Sequence, residues 1–275
     1  MKNHDIAFIG GGNMARSLIA GLIADGMPPQ RIWVADPSKE QLAGLAASFG
    51  IHISTDNRQA AEQADALVLA VKPQVMKAVV EQLAPTVQAR KPLVISIAAG
   101  IRETDLGRWL GEGAAIVRTM PNTPALVQTG ATALYANRHV SPAQRDLAES
   151  LLRAAGITQW LDDEALMDPV TAVSGSGPAY FFLLMELMEQ AGTRMGLPAE
   201  TARLLTLQTA LGAAKMALES SEDTAVLRQR VTSPGGTTER ALSVLEQGGI
   251  RELVDQALRA AAERAAELGD MLGRQ

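Results

Sequence analysis

The chain has 275 residues, of which 47% are apolar and only 3% aromatic, and its formal net charge is −5 at pH 7. This length suits two domains or one large domain, and the composition predicts a core of Ala, Leu, Val and Ile. The negative charge gives no electrostatic argument for nucleic-acid binding. Because the sequence has no cysteine, disulfides, a thiolate nucleophile and a cysteine-based zinc site are excluded.

The histidines and the apolar runs give two further expectations. His4, His52 and His139 are isolated in the sequence, so we expect surface or loop positions and no metal site. No apolar run reaches the roughly 20 residues that span a bilayer, and the first residues lack the pattern of a signal peptide. We therefore expect a soluble, cytoplasmic protein.

The first predicted elements are a strand over residues 6–9, a glycine turn and a helix. The turn reads G-x-G-x-x-A at Gly10, Gly12 and Ala15. In a dinucleotide-binding unit the first glycine permits the tight turn, the second lets the backbone approach the pyrophosphate, and the small third residue lets helix and strand pack. Glycine turns can also merely connect elements, but the strand before this one and the apolar helical face after it favour dinucleotide binding.

The next predicted strand, residues 31–35, leads to Asp36. An acidic residue about 20 positions beyond the glycine turn commonly binds the ribose hydroxyls of NAD. Asp36 could instead cap the predicted helix over residues 39–49, and the two roles are compatible. An acid argues against a 2′-phosphate, whereas Ser38 and Lys39 could bind one, so these residues leave NADH and NADPH open.

Strands and helices alternate up to about residue 161, which predicts an α/β fold with an N-terminal Rossmann-type domain. Apolar runs such as residues 66–71 are typical of parallel strands buried on both faces. The other strands are predicted over residues 51–53, 93–97, 115–118, 131–136 and 157–161, with helices after residue 57 and over residues 74–83 and 143–155.

Ligands of open α/β sheets bind at the carboxyl ends of the strands. This rule selects Asn57, residues 70–73, residues 98–100 and residues 120–123 as the rim of the cofactor site, together with the first glycine turn and Asp36. Lys72 is the charged residue that ends an apolar strand, and it either contacts the cofactor or caps the strand.

Past residue 163 the pattern becomes helical. We therefore divide the chain into a Rossmann NAD(P)-binding domain, residues 1–163, and an all-α dimerisation and substrate-binding domain, residues 164–275. The helical faces are broad and apolar, which predicts a homodimer formed through this second domain. Its helices are predicted over residues 180–192, 198–220, 224–230, 237–247 and 250–272.

A second glycine-rich turn, Ser-Pro-Gly-Gly-Thr-Thr over Ser233–Thr238, precedes one of these helices. The pattern predicts a tight loop whose backbone amides point out of a helix N-terminus, which is a ready site for a small anion. We hypothesise that the fold brings a cofactor held by the first glycine turn against a small carboxylate substrate held by the second.

These motifs together resemble one family. The chain closely resembles bacterial pyrroline-5-carboxylate reductases over essentially its whole length. Ser-Pro-Gly-Gly-x-Thr is the most specific motif, because many dehydrogenases share the glycine fingerprint. The segments that carry the resemblance are, in chain order, residues 8–14, 70–73, 96–100, 120–124, 173–180 and 233–238.

The resemblance implies hydride transfer from NADPH, with NADH as a possible alternative, to the cyclic imine L-1-pyrroline-5-carboxylate. The product is L-proline, and the reaction is the last step of proline biosynthesis. The resemblance also implies a homodimer, commonly assembled as a decamer of five dimers. The fingerprint and the resemblance predict cofactor contacts from Gly10, Gly11, Gly12, Asn13, Met14, Asp36, Ser38, Asn57, Ala70, Val71, Lys72, Pro73 and Ala98. The predicted substrate-binding residues are Glu164, Ser233, Gly235, Gly236, Thr237 and Thr238.

Thr238 is the predicted catalytic residue. No histidine or cysteine accompanies the motifs, and a protonated iminium already accepts hydride. The Thr238 hydroxyl would hydrogen-bond the imine nitrogen, direct the ring and supply a proton. Thr238 could instead cap its own helix, a role that Thr237 or Ser233 could also fill. Glu164 either lies near the substrate amine or begins the first helix of the second domain, where an acid suits the helix dipole.

Two rival functions are a β-hydroxyacid dehydrogenase-like oxidoreductase and a non-catalytic NADP-binding sensor. The dehydrogenases need a lysine a few residues after a glycine pair at the start of a long helix. Residues 178–184, which follow Gly175 and Gly177, contain no lysine. A sensor would need only the first glycine turn, so the intact second turn argues against it.

Overall fold

An eight-stranded sheet organises the first part of the chain in the computed structural model, which describes residues 3–274. The strands are β1 (Ile6–Ile9), β2 (Ile32–Ala35), β3 (His52–Ser54), β4 (Ala66–Leu69), β5 (Leu93–Ser96), β6 (Ile116–Met120), β7 (Gly130–Ala136) and β8 (Gly156–Trp160). Their spatial order is β3-β2-β1-β4-β5-β6-β7-β8. β1 to β6 run parallel, β7 is antiparallel to β6, and β8 is parallel to β7.

Six helices accompany the sheet along the chain. They are α1 (Asn13–Ala24), α2 (Lys39–Phe49), α3 (Asn57–Ala61), α4 (Pro73–Arg90), α5 (Glu103–Leu110) and α6 (Pro142–Arg153). The predicted strands are confirmed, with ends shifted by at most two residues, and the helix over residues 39–49 is confirmed at both ends. Two helices differ from the prediction: α4 continues past residue 83 with Pro85 inside it, and the short helix α5 was not predicted.

The central strands are buried on both faces, as their continuous apolar sequences require. Every residue of β1 and β4 is fully buried. One apolar core lies beside α1, α2 and α6, and its largest side chains include Phe8, Leu18 and Leu22. A second core lies beside α3, α4 and α5, and it contains Leu69, Met76 and Leu106.

The C-terminal part of the chain is helical. After a 3-10 turn (Glu164–Leu166), the helices are α7 (Met167–Val170), a π-helical turn (Thr171–Gly175), α8 (Gly177–Arg194), α9 (Ala199–Glu219), α10 (Thr224–Arg230), α11 (Thr237–Gln247) and α12 (Ile250–Gly273). Strands end at Trp160 within residues 3–274. Within the same residues no helix is long and apolar enough to cross a membrane.

By their contacts, the described residues form two compact units. Residues up to Ser176 and from Ala260 onward form the first, and Gly177–Arg259 form the second. Within the first unit the end of α12 is bound to α5 and the residue before it: Arg102 pairs with Asp270 at 2.7 Å, and Arg108 donates to the Gly273 carbonyl at 2.6 Å. The domain boundary at residue 163 stays a prediction, because it is drawn from the change of secondary structure and not from contacts.

Candidate active site

The first glycine turn joins β1 to α1 at the carboxyl edge of the sheet. Gly10 has φ +99°, and a Cβ atom there would lie 2.7 Å from the Ala70 carbonyl oxygen, so only glycine fits. Gly12 is the N-cap of α1, where a Cβ would meet no described atom within 4 Å. Open space at an uncapped helix start is what a pyrophosphate requires, and the donors are the first-turn amides, at Asn13 and Met14. The residues present therefore fit a dinucleotide.

Asp36 joins this turn to the segment after β2. Its Oδ2 accepts the Gly11 amide at 2.8 Å and its Oδ1 accepts the Ser38 amide at 2.8 Å. Ser38, not Asp36, is the N-cap of α2, and its hydroxyl accepts the Gln41 amide at 3.3 Å. Both carboxylate oxygens thus already accept backbone hydrogen bonds, which reduces the capacity of Asp36 to bind a ribose.

The remaining predicted cofactor residues follow the carboxyl ends of β3, β4 and β5. Asn57 begins α3, and Asp56 caps that helix by accepting the Arg58 amide. Residues 70–73 connect β4 to α4, with Lys72 as the exposed N-cap and Pro73 in the first turn. Ala98 is buried two residues after β5. All of them belong to the first unit and lie at one edge of the sheet.

A cation that the sequence reasoning missed lies beside this edge. Arg16 lines a cavity of about 400 Å³ with Gly11, Asn13 and Ser38. Its guanidinium donates to the Ser48 hydroxyl at 3.0 Å and lies 5.4 Å from the centre of the Phe49 ring. The only sequence signal was its place one residue after the fingerprint.

Glu164 is also in the first unit. Its Oε1 accepts the Arg118 guanidinium at 2.9 Å and the Glu103 amide at 2.6 Å, so it caps the N-terminus of α5. The two charged side chains are largely buried, with 7% of Arg118 and 18% of Glu164 exposed. Glu164 also begins the 3-10 turn that opens the helical part. The ion pair with Arg118 could not be predicted from the sequence.

Tyr135 lies next to this ion pair. Arg118 and Tyr135 are direct partners in the β6–β7 register. Burial first, and then the negative charges of Glu164, Glu103 and Asp163, raise the pKa of the Tyr135 phenol above its ordinary value of 10.0. The phenol therefore stays protonated at neutral pH.

The second glycine turn belongs to the second unit. The Gly236 amide donates to the Ser233 carbonyl at 3.0 Å, and Gly235 has φ +71°. Gly236 is the N-cap of α11, and no side chain among residues 3–274 caps this helix. The capping role considered for Ser233, Thr237 and Thr238 is therefore not used, which leaves the first-turn amides to a ligand. Thr238 is half-buried in the first turn.

Two carboxylates of the second unit, Glu239 and Glu222, have notable hydrogen-bonding environments. Glu239 accepts the Gly235 amide at 2.7 Å and so braces the turn. Glu222, which precedes α10, pairs through Oε1 with Arg230 at its end. The Glu222 Oε2 atom is buried and has no hydrogen-bond partner among the described residues. A buried acceptor without a donor is unusual, and sequence reasoning had passed over Glu222.

The fold and these two loops define a dinucleotide-dependent oxidoreductase with a Rossmann domain followed by a helical domain. Comparison with known proteins gives the family. Residues 164–268 match the family described as pyrroline-5-carboxylate reductase dimerisation, and residues 5–100 match the family described as NADP oxidoreductase coenzyme F420-dependent. The chain belongs to the pyrroline-5-carboxylate reductase family.

Relatives resemble the chain over nearly its full length. The pyrroline-5-carboxylate reductase of Pseudomonas aeruginosa is 56% identical over 99% of this chain and 100% of its own, and that of Escherichia coli is 39% identical over 96% and 97%. The solved Coxiella burnetii enzyme has a TM-score of 0.93 at 51% identity, covering 96% of this chain and 98% of its own. The Plasmodium falciparum enzyme, solved with NADP bound, has a TM-score of 0.87 at 30% identity, covering 98% and 99%.

Proposed function

We propose that the protein reduces L-1-pyrroline-5-carboxylate to L-proline with NADPH, the last step of proline biosynthesis. The observation that carries this function is the N-terminus of α11, which Ser233–Thr238 forms and no side chain of the described residues caps. The chain also matches the pyrroline-5-carboxylate reductase family. The substrate is a five-membered cyclic imine that bears a carboxylate. The free backbone amides of the loop suit the carboxylate, and the adjacent hydroxyl suits the ring nitrogen.

The loop binds the substrate carboxylate in this proposal. The amides of Thr237 and Thr238 donate to it at the positive end of the α11 dipole. Ser233 and Gly235 form the turn that aims these amides, and a Cβ at Gly236 would lie 2.9 Å from the Ser233 carbonyl oxygen. The Thr238 hydroxyl hydrogen-bonds the imine nitrogen, which orients the ring.

The protonated ring nitrogen needs a negative partner. Glu222 of the same unit is one candidate for this charge partner, because its buried Oε2 has no hydrogen-bond donor among the described residues. Stabilising the iminium keeps the carbon electrophilic, so a separate acid is not required before hydride arrives. Glu164 is a second candidate for contact with the substrate, with its carboxylate oriented by Arg118.

NADPH, when bound, supplies the hydride. Gly10, Gly12 and the first-turn amides at Asn13 and Met14 hold the pyrophosphate, and Ser38 with Arg16 lies at the end of β2 where a 2′-phosphate would bind. Residues 70–73 and Ala98 line the route along the carboxyl edge. NADH is a second donor in this proposal, because Asp36 keeps a negative charge near the ribose.

The proposed assembly is a homodimer formed through the helical part and, beyond it, a decamer of five dimers. The second unit exposes many large apolar side chains, among them Phe181, Phe182, Leu204, Leu211 and Met216. Exposed apolar surface of this extent is typical of subunit interfaces. Light scattering on the purified protein, whose chain mass is 29.0 kDa, tests the assembly: ten chains support the decamer, two support only the dimer. We also propose a cytoplasmic location, where NADPH is available.

The function is tested by following NADPH absorbance after addition of chemically prepared pyrroline-5-carboxylate, with a 2-keto acid as control. Oxidation with the imine alone, and proline as product, is the expected result. Oxidation with the keto acid would support the β-hydroxyacid dehydrogenase-like alternative. NADPH binding without oxidation would support a sensor. The same assay with NADH side by side gives the cofactor preference.

A further inference from the structure

We propose that Asn122 is a positioning residue for the nicotinamide half of the cofactor. Its side-chain amide fixes the segment that follows β6 by binding two other segments of the first unit. This inference rests on the proposed function, because it concerns the cofactor of that reaction.

The Asn122 side chain joins three separate parts of the chain. Oδ1 accepts the Ala131 amide at the start of β7 at 2.9 Å, and Nδ2 donates to the Ser174 carbonyl in the π-helical turn at 3.0 Å. Asn122 is also the N-cap of the 3-10 helix Thr123–Val127. Both the oxygen and the nitrogen of the side-chain amide are therefore used, so exchanging their positions by a half-turn of the amide would break both bonds.

The segment around Asn122 packs closely against its neighbours. A Cβ at Gly175 would lie 2.5 Å from the Met120 Cε, and a Cβ at Gly130 would lie 3.0 Å from the Ala125 Cα. The segment between Met120 and Ala125 is thus held between β7 on one side and the π-helical turn on the other. Single π turns are rare and occur frequently at functional sites.

The position of this segment at the edge of the sheet places it on the nicotinamide side of the proposed cofactor site. A dinucleotide lies across the carboxyl edge, centred where the strand order reverses, here between β1 and β4. β2, with Asp36 and Ser38, lies on the adenosine side of that point. β6 lies on the other side, beyond β4 and β5, and Asn122 lies two residues after its carboxyl end. A shift of about 1 Å at a reacting group can lower the rate about a hundredfold.

The alternative is that Asn122 only stabilises the fold. Asn137 provides a matched control for this alternative. Asn137 bridges the opposite end of β6: Oδ1 accepts the Ile116 amide at 3.2 Å and the His139 amide at 3.1 Å. Its Nδ2 donates to Glu103 Oε1 at 2.8 Å and to the Ala114 carbonyl at 2.9 Å. With more bonds, Asn137 should matter more for stability, yet it lies at the edge away from the cofactor.

The test compares Asn122→Asp, Asn122→Ala and Asn137→Ala in the full-length protein. Asn122→Asp keeps the acceptor for Ala131 and replaces the donor to Ser174 by an oxygen. Each variant is measured for unfolding by urea, for binding of NADPH and of adenosine 2′,5′-bisphosphate, for the fluorescence anisotropy of bound NADPH, and for kcat with NADPH and with its 4-deuterated form.

For both Asn122 variants we expect a kcat reduced about tenfold or more, a larger deuterium isotope effect and a lower anisotropy of bound NADPH. Adenosine 2′,5′-bisphosphate should bind as in the unchanged protein. Asn137→Ala should lower stability and leave the isotope effect and the anisotropy unchanged. The proposal is overturned if the Asn122 variants keep the isotope effect and the anisotropy, or if Asn137→Ala changes both equally. The anisotropy of bound NADPH can be measured without turnover. If the protein without substitutions binds NADPH but does not reduce the imine, that result counts against the proposed function and not against the role of Asn122.

Discussion

Arg118 Nη1 lies 2.9 Å from Glu164 Oε1, and this ion pair is largely shielded from water. Removing one partner of a buried pair leaves the other charge uncompensated and typically costs about 3–5 kcal/mol. We therefore expect Glu164→Ala to lower the free energy of unfolding by about 3 kcal/mol. The measurement is urea unfolding at one fixed protein concentration.

Two further variants test this explanation. The double variant Arg118→Leu with Glu164→Leu should recover most of the loss, because neither charge remains buried. Asp255→Ala removes a partner of the exposed Arg259, and it should change stability by less than about 1 kcal/mol. Equal losses for the buried and the exposed pair would contradict the prediction. A KM for the imine that rises in Glu164→Gln without loss of stability would support substrate binding by Glu164.

The glycine turn allows folding and cofactor binding to be separated. At Gly12 an added methyl group enters open space and the backbone has φ −66°, so Gly12→Ala should fold normally. The same methyl group would occupy the approach of the pyrophosphate, and we expect NADPH to bind at least about tenfold more weakly. Fluorescence titration measures this.

Gly10→Ala is the comparison for that variant. It combines φ +99° with a 2.7 Å contact to the Ala70 carbonyl oxygen, and it should lower stability as well as binding. If Gly12→Ala lost stability to the same extent as Gly10→Ala, the assigned role of Gly12 would be wrong.

Much of the fold could be predicted because it follows from local patterns. Apolar runs defined the strands, and the glycine fingerprint defined the first turn; the helix over Lys39–Phe49 agrees at both ends. α5 was missed although Leu106, Trp109 and Leu110 have helical spacing, because it is only 8 residues long and Gly107 lies inside it. Its start is stabilised by Glu164, which is 61 residues away.

The sequence predicted only those parts of the site in which backbone amides bind the ligand. Glycine turns and helix starts are visible in sequence, and Ser233–Thr238 forms the expected uncapped start. Side-chain pairs between distant segments are not visible. The ion pair of Arg118, the bridge made by Asn122 and the orphaned oxygen of Glu222 arise from tertiary packing.

Thr238 is the next test, because its hydroxyl is assigned to the imine nitrogen. Thr238→Ala should lower kcat about tenfold or more, because the ring is then no longer oriented for hydride transfer, and Thr238→Ser should keep most of the activity. Thr232, the residue before this loop, donates its hydroxyl to the Arg228 carbonyl instead, so Thr232→Ala serves as the control. Steady-state kinetics with saturating NADPH give the comparison. An unchanged kcat in Thr238→Ala would remove this residue from the mechanism.

Asp36 should set the preference between the two cofactors. Its charge lies where a 2′-phosphate would bind, and a like charge nearby costs about 1–4 kcal/mol at 4 Å. Asp36→Ser should therefore raise the ratio of kcat/KM for NADPH to that for NADH about tenfold or more. Because Asp36 also accepts the Gly11 and Ser38 amides, unfolding is measured in parallel. A ratio that stays constant would show that Asp36 only braces the turn.

Glu149 makes stability depend on pH. The Trp160 indole donates to its Oε2 at 2.9 Å, and this bond, with Arg153 and Thr158, holds the pKa of Glu149 below its ordinary value of 4.5. A carboxyl with a lowered folded-state pKa stabilises the protein above its unfolded pKa and loses that contribution as the pH falls through the folded value. Glu149→Gln should thus lower the free energy of unfolding by about 1 kcal/mol at pH 7. Urea unfolding at pH 7, 5 and 4 should show the difference between the two proteins shrinking below pH 4.5, and a difference that does not change with pH would mean that the charge of Glu149 contributes nothing.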